Sequence, residues 1–149
     1  MPPSEPLLVV EDSNADFNML KRVLRKMDVQ SPIHRCETGD ETLAFMSQSG
    51  KGQSSNESTR PAIILLDLNL PGTDGRVVLT RLKQDEAFAC IPIIVLTTST
   101  ARSDIEYCYQ HGANGYLVKP MGKEAFQKMI QAFVDYWLGA NTSPFLTVT

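Results

Sequence analysis

The chain has 149 residues, 42% of them hydrophobic, with a formal net charge of −3 and a pI near 5.3. That length holds one domain with a full core. The acidic balance removes the electrostatic case for nucleic acid, and no apolar run approaches the roughly 20 residues that cross a bilayer.

In chain order, Met1-Pro2-Pro3-Ser4-Glu5-Pro6 has neither the basic nor the apolar region of a secretory signal. Leu7–Val10 is the first expected strand. Ala15–Met27 follows as a helix, with Leu20, Val23, Leu24 and Met27 at i, i+3, i+4, i+7 and Ser13 or Asn14 as its cap. Ile33–Cys36 is a short strand, and Asp40–Gln48 a short helix with Leu43, Phe45 and Met46 turned inward. Ser49–Pro61 is polar, rich in Gly and Ser and without periodicity, so it is expected to be a surface loop. Its Gly-Lys-Gly is no phosphate loop, because no strand precedes it and no helix follows.

Ile63–Leu66 is the third strand and Gly75–Gln84 the next helix. Ile93–Leu96 and Gly115–Val118 are the remaining strands, with a helix over Ser103–His111 between them. Lys123–Leu138 closes the pattern as one helix, striped by Phe126, Met129, Ile130, Phe133, Val134 and Trp137. A strand–helix unit repeated five times predicts an α/β fold. It is a doubly wound, five-stranded parallel sheet with helices on both faces. Cys36, Cys90 and Cys108 are odd in number and widely spaced. They predict buried structural thiols in a reducing cytoplasm, with no disulfide framework. His34 and His111 stand alone, without ligand spacing.

The strand ends carry the chemistry. Ala62-Ile63-Ile64-Leu65-Leu66 stops on Asp67, and Leu7-Leu8-Val9-Val10 runs into Glu11-Asp12. Ile93-Ile94-Val95-Leu96 ends on Thr97, and Gly115-Tyr116-Leu117-Val118 on Lys119-Pro120. Parallel strands put all of these on one edge, where open α/β sheets bind ligands. Two carboxylates about 4 Å apart repel by roughly 4 kcal/mol at an effective dielectric near 20, so a proton or a cation must relieve the cluster. An all-oxygen set suits Mg²⁺. With the ion bound, Asp67 can act as a nucleophile toward phosphorus, Glu11 and Asp12 can serve the metal, and Lys119 and Thr97 can hold phosphoryl oxygens. The Lys119–Pro120 bond is open to either isomer.

With these motifs in this order, the chain resembles the receiver domain of bacterial two-component response regulators, from Leu7 to about Leu138. The motifs are Glu11-Asp12, Asp67 within Leu-Leu-Asp-Leu-Asn-Leu-Pro-Gly-Thr-Asp-Gly, Thr97, and Tyr116-Leu117-Val118-Lys119-Pro120. The resemblance implies a flavodoxin-like (CheY-like) three-layer sandwich and a phosphoryl group taken onto Asp67 from a phosphohistidine of a sensor histidine kinase. It implies Mg²⁺ on Asp12, Asp67 and the Asn69 carbonyl, with Glu11 acting through water. It also implies a switch in which Thr97 moves toward the phosphate and Tyr116 turns inward. Thr98, where a very small residue is frequent, and the uncharged Ser99 depart from the commonest pattern. A narrower likeness points to the small regulators paired with bacterial phytochrome kinases. It rests on Leu-Leu-Asp-Leu-Asn-Leu-Pro, Val-Leu-Thr-Thr-Ser, the polar loop before Pro61 and the closing Phe-Val-Asp-Tyr-Trp-Leu.

This reading divides the chain into a receiver over 1–139 and a short extension over 140–149 without an output domain. Signalling then passes through protein contacts to a downstream partner. Phe145, Leu146 and Val148 either fold back or pack on a partner. The phytochrome-type likeness favours a homodimer through the last two helices, the fifth strand and this tail. Two enzyme-like or cofactor-like alternatives fit less well. A haloacid-dehalogenase-type phosphatase needs a second Asp two positions after the nucleophile, and Asn69 stands there. A flavodoxin-type cofactor binder needs a phosphate loop after the first strand, where Glu11-Asp12 stands instead.

Overall fold

The computed structural model describes residues 6–49 and 60–145. The expected loop lies almost wholly outside the described residues, as do Leu146 and Val148. Five strands form one sheet: β1 (Leu7–Val10), β2 (Ile33–Cys36), β3 (Ile63–Leu66), β4 (Ile93–Thr97) and β5 (Gly115–Val118). All pairs are parallel and the order is β2-β1-β3-β4-β5. The helices are α1 (Asn14–Lys26), α2 (Gly39–Ser49), α3 (Gly75–Gln84), α4 (Arg102–Gln110) and α5 (Lys123–Asp135). The α/β architecture read from the sequence is the one observed.

Each layer follows from period-two alternation in the strands. Leu7, Val9, Ile63, Leu65, Ile94 and Leu96 face α1 and α5 and pack on Phe17, Leu20, Leu24, Phe126, Ile130 and Phe133. Leu8, Val10, Ile64, Leu66, Ile93 and Val95 face the other way, onto Met46, Val78, Leu79, Leu82 and Cys108. With both faces covered, the strands read as unbroken apolar runs. Ser13 caps α1, its Oγ accepting from the Asp16 amide at 3.2 Å, and Arg25 and Lys26 sit in the last turn, where the helix dipole favours cations. Asp74 caps α3 through the Arg76 amide at 2.8 Å.

Three expectations are corrected. The last helix does not run unbroken to Leu138: α5 stops at Asp135 and a π-helical turn covers Tyr136–Ala140. The turn keeps Trp137 and Leu138 against the same core as the helix, so the apolar stripe hides the change of winding. Cys90 is exposed, beside the Arg60 guanidinium at 3.6 Å. Cys36 and Cys108 are buried as expected, and burial pushes each thiol up to about 11, which keeps them protonated and inert. Phe145 folds back onto its own domain, against the α3-side core, with the Arg60 guanidinium 4.4 Å above its ring. No peptide bond among the described residues is cis, so Lys119–Pro120 is trans.

Arg60 precedes β3 and Cys90 precedes β4, so Phe145 closes the sheet edge opposite to the strand ends that carry the polar residues. Phe145→Ala should therefore lower stability by about 1–2 kcal/mol, the scale of partial loss of an aromatic contact, without touching chemistry at the far edge. A thermal melt run beside a phosphorylation assay checks both halves. An unchanged melting temperature would show that the tail is not held there.

Candidate phosphoryl-transfer site

The sheet ladder continues one step past the strand ends and sets the site residues side by side. The Glu11 amide donates to Cys36 O at 3.0 Å, the Asp67 amide to Val10 O at 3.0 Å, and the Lys119 amide to Thr97 O at 2.7 Å. Because β1 and β3 are neighbours, Glu11-Asp12 and Asp67 meet where the strand order reverses. Gly75 opens α3 directly behind Asp67. A Cβ there would collide with Asp67 O and come within 2.6 Å of Leu68 Cα, so only glycine permits this approach.

Carboxylate oxygens of Glu11, Asp12 and Asp67 lie within 4.8 Å of one another. Glu11 and Asp67 are buried, and Asp12 is exposed. Lys119 reaches into the cluster: its Nζ lies 2.8 Å from Glu11 Oε1, 3.1 Å from Asp67 Oδ2 and 2.9 Å from Asp16 Oδ2. The ammonium thus supplies the neutralising charge that the sequence demanded. Burial works against its charge, yet the hydrogen bonds to Glu11 and Asp16 and the charge of Asp67 outweigh this and raise its pKa. Burial pushes the Glu11 carboxyl up to about 7, with Lys119 opposing and the Asp67 charge adding to the rise. The Ser13 amide and Arg35 Nε fix Glu11 from the other side, donating to its Oε2 at 3.1 Å and its backbone oxygen at 3.0 Å.

Asn69 is exposed, and its amide donates to Asp67 Oδ1 at 3.2 Å. Thr97 is fully buried at the end of β4, its Oγ1 accepting from the Ser99 amide at 3.4 Å. Tyr116 is half-buried and stands apart from the acidic cluster. Its hydroxyl donates to Ser99 O at 2.9 Å. The isolated histidines are not in the site: His34 stacks on Phe45 and His111 on Tyr107.

Two features escaped the sequence reading. Asp16 touches Lys119, although its place in the first turn of α1 marks it as a dipole-compensating acid. Ser99, Asp104 and Arg76 form a chain. Ser99 Oγ donates to Asp104 Oδ2 at 2.6 Å, Arg76 Nε to Asp104 Oδ1 at 2.8 Å, and Arg76 Nη1 to both oxygens of Asp74 at 3.0 Å. It ties the loop after Thr97 to the start of α3.

The donor set at the strand ends is all oxygen, negatively charged and open to water through Asp12, which suits a hard divalent cation. A model of the response regulator receiver domain matches residues 7–131. The chain is 37% identical to the response regulator Rcp1 of Synechocystis over 142 residues, 95% of each chain. The Mn²⁺-bound form of Rcp1 superposes with a TM-score of 0.86 over 94% of this chain and 99% of that one. The phosphorylated cyanobacterial phytochrome response regulator RcpA also gives 0.86, at 32% identity, over 95% of this chain and 99% of that one. The probable methanogenesis regulatory protein FilR2 of Methanothrix harundinacea is 35% identical over 139 residues, 93% of this chain and 86% of that protein.

Hydrogen bonds to Arg76 and Ser99 hold the Asp104 carboxyl below the usual carboxylate range. A depressed folded-state pKa adds stability that is present above the unfolded value, about 3.9, and is lost as pH falls through the folded one. Asp104→Asn removes this contribution. Wild type should therefore lose stability more steeply than the variant on acidification below about pH 4. Urea midpoints taken across that range test it, and parallel curves would contradict it.

Proposed function

Because this chain belongs to the response regulator receiver domain family, we propose that Asp67 is its phosphoacceptor and that the residues around it form the transfer site. One observation carries the reading: the Lys119 ammonium lies 3.1 Å from Asp67 inside a three-carboxylate cluster at the topological switch point. Asp67 Oδ attacks the phosphorus of a phosphohistidine on a sensor histidine kinase. The P–N bond breaks, the imidazole leaves with its electron pair, and an acyl phosphate forms on Asp67. A divalent cation, Mg²⁺ in the cell, held by Asp12, Asp67 and the Asn69 carbonyl with Glu11 acting through water, would neutralise charge on the transferring group. Lys119 and Thr97 take the other phosphoryl oxygens, and their burial excludes competing water. Thr97 and Tyr116 are the switch pair, joined through Ser99.

The protein acts as a signalling phosphoacceptor and not as an enzyme turning over a substrate. Asn69 supports this, since its side chain offers no carboxyl for the acid–base step of a haloacid-dehalogenase-type phosphatase. The receiver occupies 1–139, with 140–149 as an extension, and works in the cytoplasm through protein contacts. Rcp1 and RcpA, matched over nearly their whole lengths, support reading this span as a receiver. RcpA supports a phytochrome kinase as the partner and light as the input.

Asp67→Asn keeps the side-chain shape and removes the nucleophile. Wild type incubated with acetyl phosphate and Mg²⁺ should gain one phosphoryl group by intact mass, and the variant none. Asp12→Ala should fold and lose the metal-dependent reaction. Phosphate appearing on Asp67→Asn at the wild-type rate would end this assignment.

A homodimer through α4, β5 and α5 is part of the same reading. Tyr109 on α4 and Tyr136 after α5 are each 52% exposed, large aromatic surfaces on or beside the elements of that interface. Phe145 is committed to its own core and leaves that interface. Light scattering at tens of micromolar should give a dimer mass for wild type and a monomer for a Tyr109→Asp, Tyr136→Asp double variant. A monomeric wild type, phosphorylated or not, would refute it.

A further inference from the structure

We propose that Asp16 is a positioning residue for Lys119, holding its ammonium beside Asp67 while the cation and the phosphoryl group occupy the other partners. The inference rests on the reading of Lys119 as a phosphoryl-binding group. A lysine ammonium has three N–H donors, and Lys119 hydrogen-bonds Asp16 and Asp67 and pairs with Glu11 at 2.8 Å. Two of these acceptors, Glu11 and Asp67, belong to the carboxylate group that can hold a metal. Phosphorylation turns the Asp67 carboxylate into an acyl phosphate and replaces its charge with that of the phosphoryl group. Asp16 stands outside both events. Of the three partners, it alone lies outside the three-carboxylate group, so neither event acts on its carboxylate directly.

Its own attachment suits that role. The Asp16 amide is fixed by the Ser13 cap at 3.2 Å, on a helix buried along Phe17, Leu20 and Leu24. Its side chain is 32% exposed while that of Lys119 is 8% exposed. Asp16 therefore reaches in from the solvent edge to an ammonium that has little water of its own. Without it, Lys119 would be left with Glu11 and Asp67 alone. When the cation took those oxygens, the ammonium would lose its direction.

The test measures phosphorylation by acetyl phosphate at saturating Mg²⁺, together with the half-saturating Mg²⁺ concentration. Asp16→Ala should slow the saturated rate about tenfold, the scale of a misplaced catalytic contact, while the Mg²⁺ midpoint moves less than about threefold. Asp16→Asn retains an acceptor oxygen and should stay within about threefold of the wild-type rate. In the metal-free protein, the Lys119 ammonium signal in ¹⁵N NMR should be protected from exchange in wild type and lose that protection in Asp16→Ala. A wild-type saturated rate in Asp16→Ala, a loss confined to the Mg²⁺ midpoint, or unchanged protection each overturns the proposal. Lys119→Ala separates the two readings. A wild-type rate in that variant removes the role of Lys119 itself, whereas a slow Lys119→Ala beside a normal Asp16→Ala removes only Asp16.

Discussion

Four carboxylates gathered around one buried ammonium, that of Lys119, set the energetic terms of this fold. Glu11, Asp12, Asp16 and Asp67 bring up to four negative charges to one edge, and the lysine returns one, leaving as much as −3. In a partly buried setting, each uncompensated contact costs several kcal/mol. The chain spreads that cost in three ways. It pairs the ammonium with three carboxylates, burial raises the Glu11 pKa and weakens its charge, and Asp12 is left in water. The result folds with an unspent negative field. That field is what gives a divalent cation its affinity, and without such a cation a phosphoryl donor would be repelled from Asp67.

The scaffold around the cluster answers to it. β1 and β3 must be neighbours for Glu11 and Asp67 to share one lysine, and the chain achieves this by sending β2 to one side of β1 and β3 to the other. Lys119 follows β5, two strands away from β3, and its long side chain spans that gap to reach Asp67 at 3.1 Å. Gly75 is required for lack of space, since α3 starts against the backbone that carries Asp67.

Most of this was legible in the sequence, for a physical reason. A strand buried on both faces tolerates no polar residue until it ends, so each apolar run points at the first group it releases: Glu11, Asp67, Thr97 and Lys119. Parallel pairing then puts those ends on one edge without further information. The features that stayed hidden lack such a signal. Asp16 looks like any acid in a first helical turn. The Arg76–Asp104 pair joins residues 28 apart on different helices, and nothing local couples them. The end of α5 was hidden because a π-helical turn keeps Trp137 and Leu138 on the apolar face. Cys90 was misplaced because a thiol carries no mark of its exposure.

Ser99 shows how the site can speak to the surface. Its amide donates to Thr97 Oγ1, its carbonyl accepts from Tyr116, and its hydroxyl donates to Asp104 while accepting from the Ala101 amide. Every polar group of one small residue is therefore engaged, each by a different element. The Thr97 contact is the longest of them, at 3.4 Å, and so the weakest. A pull on the Thr97 hydroxyl from Asp67 would break that contact first and free the Ser99 amide. The loop would remain tied to Tyr116 on β5 and, through Asp104 and Arg76, to α3 and α4. In the proposed switch, such a pull would release the weakest tie of a loop whose other ties lead to two surface elements.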